Sequence, residues 1–273
     1  MTSTRSGPID TVVHAPSTPP VIDPGLLMLA YRSGIFPMSD ARDDPEIFWV
    51  EPRRRAVLPL DGFRCSRSLA RTLRRGRFTV TCNRAFAEVM EACAAPRETE
   101  DGQTWISHRI AASYERLHQL GHAHSIECWQ DDRLVGGLYG VGFDRVFCGE
   151  SMFSRVPDAS KVALAWLVAA LRRCGAVLLD CQFITPHLAS LGAIEIAQED
   201  YVERLRAAQE PYPSESGEAA GAGDGVALGE GSGAAGAVLA LPEGFAALVA
   251  EAGGAGVSSS PGNFIAQSFT QTS

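Results

Sequence analysis

The stretch from Val146 to Gln182 limits what this chain can fold into more than any other. It runs Val-Phe-Cys-Gly-Glu-Ser-Met-Phe-Ser, then an apolar helical segment, then Gly-Ala-Val-Leu-Leu-Asp-Cys-Gln. Phe147 to Glu150 follows the turn residues Gly142-Phe143-Asp144 and predicts a strand. Asp158 is placed to cap a helix from Ala159 to Cys174, and Gly175 suits the left-handed position that ends it. Val177 to Leu179 is a continuous apolar run, as in a strand buried on both faces. A strand, a crossover helix and a second strand give parallel neighbours, and such sheets hold ligands beyond the carboxyl ends of their strands. Glu150 and Asp180 stand at those two ends, so the candidate chemistry is expected there.

Upstream, Asp23-Pro24 opens a helix that Gly34 ends, and short strands flank Pro52-Arg53-Arg54-Arg55. Ser66 can cap a helix in which Arg67, Arg71, Arg74 and Arg75 share one face while Leu69 and Leu73 lie on another. No acid on that helix offsets the four guanidinium groups, which suit phosphates through bidentate contacts. Phe78 to Thr81 predicts a strand, Asn83 a cap for a helix from Arg84 to Cys93, and Ser107 to Leu120 another helix. Strands at about 124–129, 134–141 and 145–149 form an antiparallel meander that feeds the crossover. Gly136-Gly137 inside a strand signals a bulge or a close backbone approach. His118, His122 and His124 straddle a helix end and a turn, so they are read as structural and no metal is expected.

The net charge of −8 misleads about partners. Beyond Arg206 the chain has seven acids and no Lys or Arg, and these account for all but one unit of that charge. The folded part is therefore open to an anionic partner. The seven cysteines have no paired ligand spacing, which fits reduced thiols. With no secretory signal and no long apolar run, a soluble cytoplasmic chain is expected. Residues 1–21 and 208–273 are rich in Ser, Thr, Pro, Gly and Ala and predict disordered tails, the second a passive one. Its island Phe245 to Val249 is the one place where a short docking helix could form. Between the tails, residues 22–62 predict a small α+β domain and 63–207 a mixed-sheet catalytic domain, giving an α+β chain overall.

The order of elements resembles the N-acetyltransferase superfamily. Those enzymes cradle coenzyme A with glycine-rich backbone ahead of the crossover helix. Here that loop is Ser154-Arg155-Val156-Pro157-Asp158-Ala159-Ser160, without glycine and with an acid. An acyl group is expected on another carrier, and no cofactor. More specifically, nine short motifs occur in order: Tyr31-Arg-Ser-Gly-Ile-Phe-Pro, Ser66-Arg-Ser-Leu, Thr104-Trp-Ile, His124-Ser-Ile-Glu, Gly136-Gly-Leu-Tyr-Gly-Val, Gly149-Glu-Ser-Met-Phe-Ser, Ala159-Ser-Lys, Asp180-Cys-Gln and His187-Leu-Ala-Ser-Leu-Gly-Ala. Together, across roughly residues 24 to 206, they resemble the leucyl/phenylalanyl-tRNA–protein transferase family.

The resemblance implies a monomeric bacterial enzyme that moves Leu, Phe or Met from aminoacyl-tRNA to the α-amine of proteins beginning with Arg or Lys, for N-degron proteolysis. It implies Asp180 and Gln182 as the catalytic pair, with Asp180 polarising Gln182. Two apart on a strand, their side chains should point the same way. Glu150 would hold the acceptor's basic first residue. Leu138, Phe147, Met152, Leu164, Leu167, Leu171 and Leu179 would form the aminoacyl side-chain pocket. Tyr31, Met38, Trp105 and Tyr114 would surround the terminal adenosine, with Met38 where the family commonly has Trp. Arg67, Arg71, Arg74 and Arg75 would take the tRNA phosphates. The alternatives are an N-acyltransferase using another acyl carrier and a non-catalytic RNA- or peptide-binding relative.

Overall fold

The computed structural model describes residues 21–96, 103–210, 238–254 and 261–269. Helix α1 (Pro24–Arg32) begins on proline, and the Asp23 side chain accepts the Leu26 N–H. Strands β1 (Phe36–Met38) and β2 (Phe48–Val50) pair antiparallel as a small sheet. β3 (Arg54–Val57) then leaves that unit for the main sheet, which therefore reaches into the segment expected for the small domain.

Helix α2 (Arg67–Arg74) is capped as its sequence predicts, with the Ser66 hydroxyl accepting the Leu69 N–H. Strand β4 (Thr79–Cys82) leads to α3 (Phe86–Ala94) and α4 (His108–Gln119). Asn83 does not cap α3. With φ at +60°, its carbonyl oxygen instead accepts the Ser125 N–H and its amide meets His124 Nδ1. The meander is β5 (Ala123–Gln130), β6 (Arg133–Phe143) and β7 (Val146–Ser154). Crossover helix α5 (Ala159–Arg173) joins it to β8 (Leu178–Gln182). Then come α6 (Pro186–Ser190), β9 (Ile194–Ala197) and α7 (Gln198–Gln209).

Among the described residues the main sheet has seven strands in the order β4-β5-β6-β7-β8-β3-β9. Its single parallel pair is β7 with β8, in the register Val146 to Leu178, Phe147 to Leu179 and Cys148 to Asp180. Two apolar clusters result, one holding α2 and α5, the other α1, α3, α4 and α7. Gly136 admits α5 against β6, because a Cβ there would lie 2.5 Å from that of Ala159. Gly175, at φ +74°, ends α5 as expected. The cap at the other end differs. Asp158 is at the N-cap with φ +70°, but its side chain turns outward to Lys161 and Thr72.

All but three residues of α5 are buried, and a helix that is apolar all round needs cover on its outer side too. Part of the segment expected to be disordered supplies it, along the docking-helix alternative. Helix α8 (Leu241–Gly254) contains the Phe245–Val249 island, and α9 (Pro261–Ser268) follows. The Phe245 ring lies 5.5 Å from Trp166, Arg173 pairs with Glu251, and Arg172 sits 5.1 Å over the Phe269 ring. The described part of the tail is therefore helical and packed on α5. Phe245→Ala is expected to lower stability by about 3 kcal/mol, read from the denaturant midpoint. An unchanged midpoint would mean that α8 contributes nothing to the fold. The disorder expected for residues 1–20, 211–237, 255–260 and 270–273 concerns residues outside those described. Among the described residues no helix is long and apolar enough to cross a membrane.

Candidate active site

β7 and β8 stay paired only as far as Cys148 and Asp180. Beyond that point β7 follows β6, and the two strands part at their carboxyl ends. The gap opens into a cavity of about 460 Å³. Leu138, Met152, Leu164, Leu167 and Leu179 line it, five of the seven residues expected for the pocket. Phe147 and Leu171 do not line it. Both are fully buried in the core, and the Phe147 ring lies beneath Gly140, where a Cβ would meet it at 2.5 Å.

Two register breaks aim the polar groups. In the β6–β7 ladder Tyr139 faces Ser151 and Gly140 faces Gly149, so Glu150 is the extra residue of a bulge. In the β3–β8 ladder Ala56 faces Gln182 and Val57 faces Asp180, which leaves Cys181 extra. Gln182 follows with φ at +54°, a left-handed conformation uncommon outside glycine and typical of functional positions. The expected alternation fails for this reason. Gln182 lines the cavity, whereas Asp180 turns away from it and is 0 % exposed.

Asp180 is held by four donors. Arg55 forks onto it through Nε at 2.9 Å and Nη2 at 2.5 Å, the Gln182 backbone N–H donates at 2.9 Å and the Tyr201 hydroxyl at 3.1 Å. Arg55 is itself 1 % exposed, lies between the rings of Phe36 and Tyr201, and donates to the Gly34 carbonyl. Burial disfavours the guanidinium charge, but the Asp180 carboxylate outweighs that cost and drives its pKa up. The contact from Asp180 to Gln182 therefore runs through the backbone, not through the side-chain amide. Glu150 polarises that amide, its Oε1 accepting Gln182 Nε2 at 3.1 Å. Glu150 Oε2 accepts the Tyr114 hydroxyl at 3.3 Å, and Tyr114 is hydrogen-bonded to Tyr31. Desolvation pushes the Glu150 carboxyl up to about 8, and Asp180 adds to the rise. Hydrogen bonds from Tyr31 and Tyr114 and the charge of Arg55 pull the other way.

Tyr31 and Tyr114 are fully buried behind Glu150, so neither offers the exposed ring face expected of an adenosine platform. Trp105 does line the cavity. Met38 is half-buried, and its neighbour Ser39 bonds the Trp105 carbonyl. Residues that sequence reasoning passed over also line the cavity, among them Cys181, Phe183, Thr185 and His187. Their position at or just beyond the carboxyl end of a strand of the parallel pair was the available signal. Burial and the nearby Asp180 push the Cys181 thiol up, which makes it a poor nucleophile near neutrality. His187 is kept neutral by desolvation and by Lys161.

On α2 the two faces divide as their spacing predicts. Arg67, Arg71, Arg74 and Arg75 are exposed and line one shallow groove, while Leu69, Ala70 and Leu73 are buried. Thr72 donates to Asp158 at the head of α5, which ties this helix to the one carrying Leu164 and Leu167. The basic run Arg53 to Arg55 divides. Arg54 pairs with Glu195 at the surface, and Arg55 belongs to the buried anchor of Asp180.

Comparison with known proteins gives the family. The family model for leucyl/phenylalanyl-tRNA protein transferase matches residues 57–206, and the model for that enzyme's N-terminal domain matches residues 21–53. A leucyl/phenylalanyl-tRNA–protein transferase of Novosphingobium aromaticivorans is 66% identical over 264 residues, covering 93% of this chain and 98% of its own. The enzyme of that name from Zymomonas mobilis is 59% identical over 192 residues, which is 70% of this chain and 71% of its own. That from Rhizorhabdus wittichii is 60% identical over 184 residues, 67% and 74% respectively. With over half its length matched by the family model and with relatives this similar, the chain belongs to the leucyl/phenylalanyl-tRNA protein transferase family.

Proposed function

We propose that this enzyme transfers Leu, Phe or Met from aminoacyl-tRNA to the α-amine of proteins beginning with Arg or Lys, marking them for N-degron proteolysis. It does so as a cytoplasmic monomer on an N-acetyltransferase-like sheet. One observation carries the reading: an apolar cavity with a carboxyl–amide pair, Glu150 and Gln182, at its wall. The cavity takes the aminoacyl side chain, making no polar demand on it. Gln182 orients the attacking amine, and Asp180 holds the Gln182 backbone in its left-handed conformation. Glu150 meets the acceptor's basic first residue. Trp105 stacks on the terminal adenine, with Met38 covering part of the same base. The arginines of α2 take acceptor-stem phosphates without reading sequence.

A coenzyme A-dependent acylation is less well supported. At the head of α5 the Ser160 N–H already bonds Ser154 Oγ and the Ala159 N–H bonds the Val156 carbonyl. Few backbone donors are left there for a pyrophosphate. The direct test supplies purified enzyme with radiolabelled Leu-, Phe- and Met-tRNA and an Arg-starting peptide. Label in the peptide is expected; none, or label delivered from an acyl-coenzyme A, overturns the reading. Leu167→Phe, which adds bulk to the pocket, is expected to reduce Phe transfer about tenfold relative to Leu transfer. An unchanged ratio would place the side chain elsewhere.

A further inference from the structure

We propose that Glu150 takes the proton released by the attacking α-amine and passes it to the departing ribose oxygen. This rests on the transferase reading above and specifies which end of the acceptor's first residue the carboxyl meets, namely the α-amino end.

The geometry leaves few other acceptors for that proton. Asp180 is turned from the cavity and already receives four donors on its two oxygens, which uses the lone-pair sites of a carboxylate. A side-chain amide such as that of Gln182 is a very weak base, and Gln182 Nε2 serves as a donor to Glu150. Among the described residues Glu150 is the one carboxylate lining the cavity, and it is the bulge residue whose backbone breaks ladder register to reach it.

The groups that face it are Tyr31 of α1, Tyr114 of α4, Arg55 of β3, Asp180 and Gln182 of β8, and Cys148 on its own strand. Its own oxygens are bonded to neutral donors, Tyr114 and Gln182, rather than to a cation. Burial, with Asp180 nearby, keeps it basic against the pull of the tyrosine hydrogen bonds and of Arg55. With its pKa at about 8, it is matched to a task performed near neutral pH.

The step balances as follows. The nitrogen lone pair adds to the ester carbonyl carbon while the carbonyl π pair moves to oxygen. One N–H proton goes to ionised Glu150. On collapse the carbon–ribose oxygen bond breaks, and that oxygen takes the proton from neutral Glu150. The products are an amide, a free ribose hydroxyl and the carboxylate restored.

The test compares two nucleophiles, an Arg-starting peptide and hydroxylamine, in transfer from aminoacyl-tRNA by the full chain across neutral pH. A peptide α-amine titrates near 8 itself, which hides the enzyme's own limb. Hydroxylamine is already neutral there and carries no basic side chain. With hydroxylamine, wild-type activity is expected to fall about tenfold per pH unit below a break near 8, because only ionised Glu150 accepts the proton. Glu150→Gln is expected to lose at least about a hundredfold in kcat with both nucleophiles, and to lose the limb, while binding aminoacyl-tRNA as before. Tyr114→Phe removes a hydrogen bond that favours the ionised form, so its limb should move to higher pH.

The proposal is overturned if Glu150→Gln loses transfer only to the peptide, since the carboxylate then serves the basic side chain. It is equally overturned if the limb survives Glu150→Gln and disappears in His187→Gln. A wild-type enzyme that serves the peptide but never hydroxylamine also contradicts it. Failure of the wild type with both nucleophiles is a different outcome, and it removes the transferase reading itself.

Discussion

Asp180→Ala is expected to cost about 3–5 kcal/mol of stability and to abolish transfer at the same time. The substitution deletes all four acceptor contacts of Asp180 and leaves Arg55, 1 % exposed, as an uncompensated buried charge. A buried charge without its partner is among the few single changes that cost this much. Loss of activity alone would therefore say little about chemistry. The double variant Arg55→Met with Asp180→Leu separates the two effects. Replacing a buried ion pair by apolar groups of similar volume is often neutral in stability, so the denaturant midpoint should return toward wild type. Transfer should not return, because the Gln182 N–H has still lost the carboxylate that holds it at φ +54°. If Asp180→Ala unfolds at the wild-type midpoint, the anchoring role is wrong. If the double variant regains transfer, Asp180 has no part in setting Gln182.

The second large effect is on RNA binding. Arg71→Glu together with Arg74→Glu should weaken binding of any aminoacyl-tRNA at least about a hundredfold and reduce the salt slope of log K by about two units. Both side chains are exposed on the α2 groove, while Leu69 and Leu73 on the opposite face do the packing. The fold should therefore be indifferent to the change. The loss should be equal for Leu-, Phe- and Met-charged tRNA, because phosphate contacts carry no information about the amino acid. A salt slope equal to that of wild type would remove α2 from the interface.

Much of the fold was legible because its signals are local. The apolar helical segment from Ala159 to Cys174, ended by Gly175 and set between two strand-like runs, predicted the parallel pair and, with it, where a ligand should sit. Ser66 was recognisable as a cap because capping involves only the next three residues. The arginine face of α2 follows from spacing alone. Misreadings arose where a local rule met a distant competitor. Asn83 and Asp158 look like caps, but distant partners claim their side chains, Ser125 and His124 for the first and Thr72 for the second. The tail reads as disordered by composition. Yet an α5 that is apolar all round was itself a sign that something must cover its outer face, and α8 and α9 do so.

The candidate site was half legible. Sequence located Glu150, Asp180 and Gln182 and most of the apolar wall. It could not show that Tyr31 and Tyr114 face inward to Glu150 rather than outward to a base. Nor could it show that one arginine of a basic run is buried.

By itself, then, the sequence determined the crossover and the cationic helix face, since each depends on residues within a few positions of one another, while its family motifs pointed to the polar groups. Tertiary structure alone decided what those groups are able to do. Arg55 and Asp180 lie 125 residues apart, and their pairing holds one carboxylate away from the cavity. The bulge that turns Glu150 into the cavity exists only in the ladder between β6 and β7. A carboxyl's basicity is set by the water it loses and the charges brought near it, and both depend on chain segments that meet only when the protein folds.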